Sequence, residues 1–293
     1  LFIIIYYLSG VLMKNDKVGI GVVSDGSFLL DGGAVFGLVP KMLWERNAKP
    51  DRKNRVRLGL NCMLIKTLHA NILVDTGIGT KEPEISREFY GYTTSRLQRN
   101  LRKNSLSPKD IDYVVLTHLH FEKCGGATKL DREGNIIPTF PKAQYLVQRK
   151  AWDQAFSPNE RVRPSFGNGG VKHLEVLKER EQLTLLDGDV EIVPGVNGHV
   201  LDGPSIGHMI VTVKAGGERV VFLGDIVPTH NHLPLPFITA FDRSPEVTLN
   251  QKKELLEKCE QEGSLIVFPR GYEHTAGYLE RKKGSVELKP VLV

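Results

Sequence analysis

The chain contains 293 residues, of which 41% are hydrophobic and 25% are charged, and it carries a formal net charge of +5 at pH 7. This balance is typical of an ordinary globular protein with a sizeable buried core. The basic residues are scattered along the sequence, so we expect no nucleic-acid partner. The three cysteines form no CxxC pair, which excludes a disulfide framework and a four-cysteine zinc site and favours a reducing, cytoplasmic location.

The first 13 residues, LFIIIYYLSGVLM, form a strongly apolar run. The run is too short to span a bilayer, which takes about 20 residues, and it lacks the basic start of a signal peptide, so we expect no membrane association. Met13 is the first methionine, and polar residues follow it directly. We therefore predict that natural translation starts at Met13 and that residues 1–13 are an extension. The alternative is an extra edge strand.

Runs of apolar and β-branched residues recur along the chain at the length of β-strands. In chain order, the predicted strands are Val18–Val23, Cys62–Ile65, Ile72–Val74, Tyr113–Leu116, Tyr145–Val147, Val190–Val193, Met209–Val213, Val220–Leu223 and Leu265–Phe268. Two helices are predicted, over Ser95–Lys103 and over Pro245–Gln261, the second with Ser244 as its N-cap. Strands that alternate with helices indicate an α/β protein whose sheets are covered by helices.

Two histidines follow the predicted strand that ends at Leu116. His118 and His120 are spaced one residue apart and precede the glycine turn Gly125–Gly126. Neutral imidazole on a short tether is the usual zinc ligand. A single histidine is more often structural, but a pair at this spacing favours a metal site.

With this motif, the chain resembles the metallo-β-lactamase superfamily, whose signature is H-x-H-x-D-H. The resemblance extends over most of the chain and includes Asp75-Thr76-Gly77 after an early strand and Gly224-Asp225 after a late one. It implies a four-layer αββα sandwich, in which two mixed β-sheets are flanked by helices, and a single domain over residues 14–293. It also implies that His118 and His120 bind a first metal ion and that Asp225 bridges two ions.

The sequence departs from the family pattern at the second metal ion. Glu122 stands in place of the aspartate of the signature, and Lys123 stands in place of its last histidine. A protonated lysine is repelled by a divalent ion beside it. In the next family motif, G-H-x-x-G-H, Pro204 takes the ligand position. His199 could replace that ligand after a local insertion, and His208 keeps the position of a supporting residue.

The last family ligand follows a late strand, and two alignments compete for it. Without a gap, Arg270 falls on the ligand position; with a short insertion, His274 does. In the gapless alignment, Lys123 and Arg270 replace both histidines of the second metal ion. These two cations could then neutralise Glu122 and Asp225 in place of that ion. The alternative for Lys123 is a side chain that points to solvent, as most lysines do.

Three further side chains are assigned supporting or substrate-binding roles. The resemblance implies that Asp75 orients the ligand loop by hydrogen bonds, and a turn-capping aspartate is the alternative. The apolar, glycine-rich stretch Asp31–Pro40 is predicted to lack regular structure. In lactone- and ester-cleaving members of the family such an early loop covers the substrate pocket, which would place Phe36 and Trp44 in its wall. Because exposed aromatic side chains also mark dimer contacts, a homodimer interface is the alternative for this pair.

Metal-dependent hydrolysis is the function that these residues indicate. His118, His120 and Asp225 would hold one zinc, iron or manganese ion, and His199 or His274 would complete the ligand set. The ion would lower the pKa of a water molecule and polarise the substrate carbonyl or phosphoryl oxygen. The substrate would be a small ester, lactone, thioester or phosphoester.

Asp225 or Glu122 would hold the attacking water and return its proton to the leaving group. Because ligands of the second metal ion are lost, the opposing hypothesis is a degenerate member that keeps the fold, holds no metal and binds a ligand or a partner. The basic charge also allows a ribonuclease, although no continuous basic stripe is present.

Overall fold

The computed structural model describes residues 2–3, 18–82, 84–167, 171–215, 217–282 and 284–292. Of the predicted extension 1–13, this part includes only Phe2–Ile3, which form strand β1 and pair antiparallel with Ile20 and Gly21. The rest of the extension lies outside the described residues, so the start at Met13 and the single domain over 14–293 stay predictions.

Within the described residues, the first sheet has seven strands. In pairing order they are β1, β2 (Gly19–Asp31), β3 (Arg55–Lys66), β4 (Asn71–Val74), β5 (Tyr113–Val115), β8 (Gln144–Gln148) and β9 (Leu183–Leu186). The pairs from β1 to β4 are antiparallel, whereas β4, β5, β8 and β9 are parallel. Parallel strands bring their carboxyl ends to one edge, and there Asp75 follows β4 and the two motif histidines follow β5.

The second sheet also has seven strands in the described part of the chain. They are β10 (Val190–Val193), β11 (Val196–Val200), β12 (Met209–Ala215), β13 (Glu218–Phe222), β14 (Leu265–Val267), β15 (Ala276–Lys282) and β16 (Ser285–Val291). Neighbouring strands are antiparallel except β13 and β14, which are parallel. Their shared direction brings Asp225, after β13, and Arg270, after β14, to the same edge. A separate hairpin pairs β6 (Thr128–Leu130) with β7 (Ile136–Pro138).

Most of the described helices are short. They are α1 (Gly32–Phe36), α2 (Lys41–Trp44), α3 (Glu84–Tyr90), α4 (Leu97–Lys103), α5 (Phe121–Cys124), α6 (Arg149–Phe156), α7 (Glu175–Glu179) and α8 (Pro245–Gln261). Helices α4 and α6 pack on the outer face of the first sheet, through Leu101 and Trp152 among others. Helix α8 packs on the outer face of the second sheet through Leu256 and Cys259. No described helix combines the length and the apolar composition needed to cross a membrane.

The alternation of side chains along the strands produces the layers. On β13, Val220 and Phe222 lie in the core between the two sheets, whereas Val221 lies in the core under α8. On β4, Val74 lies between the sheets and Leu73 lies under the helices of the first sheet. Each sheet is therefore covered on both faces, and the predicted four-layer αββα arrangement is confirmed.

The local predictions agree with the structure where the sequence pattern is regular. Helix α8 has the predicted bounds. Strand β2 extends beyond the predicted end at Val23 to Asp31, because a bulge at Gly26 interrupts the alternation of side chains on which the prediction was based. The prediction that Asp31–Pro40 lacks regular structure is wrong. The Asp31 carboxylate accepts a hydrogen bond of 2.9 Å from the Ala34 N–H and caps helix α1.

Substitution of Phe222 tests the core between the sheets, because the Phe222 side chain is completely buried there. Replacing it with alanine leaves a cavity, so we expect F222A to lower the free energy of unfolding by about 3–5 kcal/mol in chemical denaturation. Leu68, which is 65% exposed, provides the control, and L68A should change this free energy by less than about 0.5 kcal/mol. Equal effects of the two substitutions would contradict the two-sheet core.

Candidate metal centre

The ligand loop begins where β5 ends and runs into the short helix α5. His118 is buried and His120 is nearly so, and their ring centroids are 4.4 Å apart. The loop packs closely on the turn after β4. A Cβ on Gly126 would lie 2.1 Å from the carbonyl oxygen of Thr76, so glycine is required there. The Thr76 N–H also donates to the carbonyl oxygen of Lys123 at 2.7 Å.

Asp75 supports the ligand loop through a residue that the sequence analysis did not assign. Its carboxylate accepts hydrogen bonds of 2.9 Å from the N–H and from the hydroxyl of Thr117. Because the Thr117 hydroxyl donates its only hydrogen to Asp75, its oxygen is left to accept from Nδ1–H of His118, which lies 3.1 Å away. This tautomer leaves the Nε2 lone pair of His118 free for a metal. Burial raises the pKa of Asp75 to about 6.

His208 supports Asp225 in a similar way. Its Nδ1–H donates to the carbonyl oxygen of Leu201 at 3.1 Å, and its Nε2 accepts from the backbone N–H of Asp225 at 2.8 Å. Gly224 has φ 52°, and a Cβ at this position would lie 2.3 Å from Nε2 of His208. Burial lowers the pKa of His208 to about 4, so the neutral ring fixes the turn that presents Asp225.

Four side chains converge as potential metal ligands: His118, His120, Glu122 and Asp225. Their ligand atoms lie within 4.8 Å of one another. Two atoms that bind one zinc ion at about 2.0–2.2 Å are at most about 4.4 Å apart, so small side-chain rotations would bring the group around one ion. Nε2 of His118 fits this role, because it is buried, has no hydrogen-bond partner within the described part of the chain and lies 3.5 Å from Oδ2 of Asp225.

The charge states of these groups suit a divalent ion. Burial lowers the pKa of His118 and of His120, so both rings are neutral at pH 7. Burial alone would raise the pKa of Asp225, but Arg270 and Lys123 outweigh it and keep the pKa well below its usual range. The centre therefore offers neutral imidazoles and an ionised carboxylate, which are the ligands that zinc, iron and manganese accept.

Lys123 and Arg270 both contact Asp225. Nζ of Lys123 lies 3.0 Å from Oδ1 of Asp225 and 3.6 Å from Oδ2 of Asp75. Arg270 donates from Nε to Oδ1 of Asp225 at 3.2 Å and from Nη2 to Oδ2 at 2.6 Å. The same Nη2 also donates to Oε1 of Glu122. The Lys123 side chain is 4% exposed, so it lies in the pocket with Asp225, and the alternative of a side chain that points to solvent is wrong.

The backbone around Arg270 is held by Asn61, which the sequence analysis also missed. The side-chain amide of Asn61 donates to the carbonyl oxygens of Phe268, at 3.0 Å, and Gly271, at 2.6 Å. The guanidinium carbon of Arg270 lies 5.5 Å from the centroid of the Phe28 ring. Asn61 lies within a strand and comes from a distant part of the chain, so no local sequence signal marks it.

The structure does not bring His199 or His274 to the ligand group. On β11, Nδ1 of His199 lies 3.0 Å from Asp189, and its Nε2 lies 3.1 Å from the Thr212 hydroxyl. His274 packs against His230 at a centroid distance of 4.7 Å in a surface cleft that Arg270 also lines. Glu122, rather than either of these histidines, is the fourth member of the group.

A cavity of about 180 Å³ lies beside His120, Glu122 and Arg270. Its apolar wall is formed by Phe28, Leu30, Ala34, Phe89, Tyr90, Phe121, Pro164 and Phe241. The ligand group and the Arg270 guanidinium therefore border a space suited to a molecule with an apolar body.

Phe36 and Trp44 do not border this cavity. Both rings are buried and stack on each other with centroids 5.0 Å apart, and Phe36 also stacks on His232. The expectation that they are exposed is wrong, because α1 turns Val35 and Phe36 into a core with Trp44. Phe36 instead borders the cleft that contains His274.

Comparisons with known proteins identify relatives of this chain and structures that share its fold. An N-acyl homoserine lactonase of Bacillus thuringiensis is 26% identical over 226 aligned positions, covering 72% of this chain and 81% of that protein. The structure of a probable metal-dependent hydrolase from Staphylococcus aureus has a TM-score of 0.83 at 29% identity, covering 96% of this chain and 100% of that chain. The dizinc quorum-quenching lactonase AidC has a TM-score of 0.76 at 19% identity, covering 96% and 97%.

Residues 56–270 match the profile of one family over most of the chain. The matched segment includes the ligand loop, Asp225 and Arg270 and extends from β3 in the first sheet to the end of β14 in the second. The fold, the histidine motif and the sequence match lead to the same conclusion: the chain belongs to the metallo-β-lactamase superfamily.

Proposed function

We propose that the protein is a hydrolase that uses one divalent ion, zinc or else iron or manganese, to cleave a small ester or lactone. The observation that carries this proposal is the convergence of four potential ligands, His118, His120, Glu122 and Asp225, beside an apolar cavity. The lactonase relatives support an ester or lactone as the substrate class. We also propose that Lys123 and Arg270 take the place of a second metal ion.

The charges around Asp225 favour one ion over two. Asp75, Glu122 and Asp225 are negative, whereas Lys123 and Arg270 are positive, and contacts connect all five groups. One negative charge is left uncompensated, and a divalent ion together with a hydroxide ion would balance it. A second divalent ion would instead be repelled by the two cations that already contact Asp225.

When bound, such an ion lowers the pKa of a water molecule to about 7 and polarises the carbonyl group. His118 and His120 bind through neutral nitrogen atoms. Asp225 stays ionised because its pKa is held low, so it serves as a ligand rather than as a proton carrier. His118, His120 and Asp225 would hold the ion, and Glu122 would act as the base: its Oε1 contacts Arg270, and its Oε2 would accept the proton of the attacking water and return it to the leaving alcohol.

The metal content of the protein, purified without chelators, tests the ligand set. We expect about one divalent ion per chain by elemental analysis, and we expect H120A to lose it because His120 is in the ligand group. H199Q and H274Q are matched controls that should keep the ion, since both side chains lie outside the group. Wild-type protein without metal would contradict the proposal, as would metal loss in either control.

Restoring histidine at the two cationic positions tests the exclusion of a second ion. The double variant with Lys123→His and Arg270→His removes two positive charges next to Asp225 and supplies two imidazoles. We expect it to bind about two ions per chain, where the wild type binds about one. Thermal unfolding serves to check that the variant folds. A folded double variant that still binds one ion would show that Lys123 and Arg270 are not what excludes the second.

Hydrolysis of a panel of short-chain lactones and aryl esters tests the activity. We expect metal-dependent turnover and, for E122Q, a decrease in kcat of about 10²- to 10⁴-fold, because the amide cannot accept the proton of water. E257Q, on helix α8, is the control and should retain wild-type kcat. Metal-free protein that binds members of this panel without cleaving them would instead support the non-catalytic, ligand-binding hypothesis.

A further inference from the structure

One polar atom of Arg270 has no partner. Nε and Nη2 are hydrogen-bonded to Asp225 and Glu122, but Nη1 is buried and has no hydrogen-bond acceptor among the described residues. Its two N–H groups are strong donors, and a buried donor without an acceptor is unfavourable. The side chain itself is 9% exposed, so bulk water does not readily supply the acceptor.

The space around Arg270 indicates where an acceptor could come from. Arg270 lines the surface cleft that contains His274, and it lines the cavity of about 180 Å³ that also contacts His120 and Glu122. It also borders a smaller space of about 20 Å³ next to Asp225, Thr239 and Phe241. A single oxygen atom the size of a water molecule needs about 10–15 Å³. Each of these spaces can therefore place one oxygen atom of a bound molecule against Arg270.

The two carboxylates also fix the plane of the guanidinium. Asp225 contacts Nε and Nη2, Glu122 contacts Nη2, and the Phe28 ring lies against the guanidinium carbon. Such a donor is already oriented before the substrate arrives, which is the condition under which a hydrogen bond stabilises developing charge most strongly. A lysine would not reproduce it, because the ammonium group is a point charge without a second, directed donor.

We propose that Nη1 of Arg270 is the oxyanion-stabilising donor of this site, and that it binds the carbonyl oxygen of the ester or lactone. The inference rests on the proposed hydrolase function and adds a substrate-contacting role for Arg270. It assigns two roles to one side chain, since Nε and Nη2 neutralise the carboxylates while Nη1 contacts the substrate.

Hydrolysis of the ester or lactone needs water, Glu122 and Arg270 for its bond and proton changes and no further reactant. The oxygen of water forms a bond to the carbonyl carbon, and the proton that it loses passes to Glu122. The electron pair of the carbonyl double bond moves onto the carbonyl oxygen, which accepts from Nη1–H. When that pair returns, the bond to the alkoxy oxygen breaks, and Glu122 gives the proton to this leaving oxygen. The products are a carboxylic acid, which then ionises, and an alcohol.

Kinetics of R270K provide the first test. The substitution keeps the positive charge near Asp225 and Glu122 but removes Nη1, so we expect kcat to fall about 10²- to 10³-fold while metal content stays unchanged. R270A should regain part of its activity when free guanidinium is added. R281K, at an exposed arginine paired with Glu260, is the matched control and should behave like the wild type. Wild-type kcat in a metal-loaded R270K protein would overturn the inference and leave the proposed hydrolase function intact.

Carbonyl binding by the metal-free protein provides a test without turnover. N,N-dimethylhexanamide offers a carbonyl acceptor, an apolar tail and no N–H donor, and its binding can be followed by NMR titration. We expect R270K to bind it at least tenfold more weakly than the wild type and than R281K. Equal binding by all three proteins would overturn the inference, even if hydrolysis proved to be absent.

A direct measurement covers the case in which R270K does not fold. Wild-type protein is labelled with ¹⁵N at its arginine side chains, and the Nη resonance of Arg270 is identified as the one that is missing from the spectra of R270A and R270Q. Addition of N,N-dimethylhexanamide should shift this resonance. A shift confined to other arginines, or no shift at saturating amide, would contradict the contact with Nη1.

Discussion

The structure of the centre depends on one carboxylate, Asp225, which contacts two buried cations and lies 3.5 Å from Nε2 of His118. Lys123 and Arg270 stabilise its negative charge. Lys123 also pairs with Asp75, and Arg270 also pairs with Glu122. Removing one member of such a buried network leaves an uncompensated charge, so the loss of any one of the five groups destabilises the others.

The surrounding fold supplies rigid positions for these charges. Parallel pairing of β13 with β14 brings Asp225 and Arg270 to one edge, while parallel pairing of β4 with β5 does the same for Asp75 and the ligand loop. Thr117 and His208 then fix the imidazole tautomer and the turn before Asp225 through directed hydrogen bonds. We propose a single-ion hydrolase for this arrangement, because Lys123 and Arg270 already contact the carboxylate that would bridge to a second ion.

Much of the fold could be predicted because regular alternation is a local property. Strand β5 (Tyr113–Val115), strand β13 (Glu218–Phe222) and the helix Pro245–Gln261 all follow from apolar spacing and turn residues, with each strand ending one residue before its predicted end. The prediction failed at Asp31–Pro40, where a short capped helix depends on one hydrogen bond, and at Phe36 and Trp44, whose burial depends on packing with distant residues. Glycine-rich composition alone does not distinguish a loop from a short helix.

The sequence by itself determined the family and, through the resemblance to that family, the αββα layers, and its short motif marked His118, His120 and Asp225 as candidate ligands. Only the tertiary structure decided between Arg270 and His274, excluded His199 and turned Lys123 inward. These outcomes depend on how two sheets meet, since residues more than a hundred positions apart share one carboxylate. Composition and spacing carry no record of such distances, and the contacts that set the charge of the centre are therefore visible only in the folded chain.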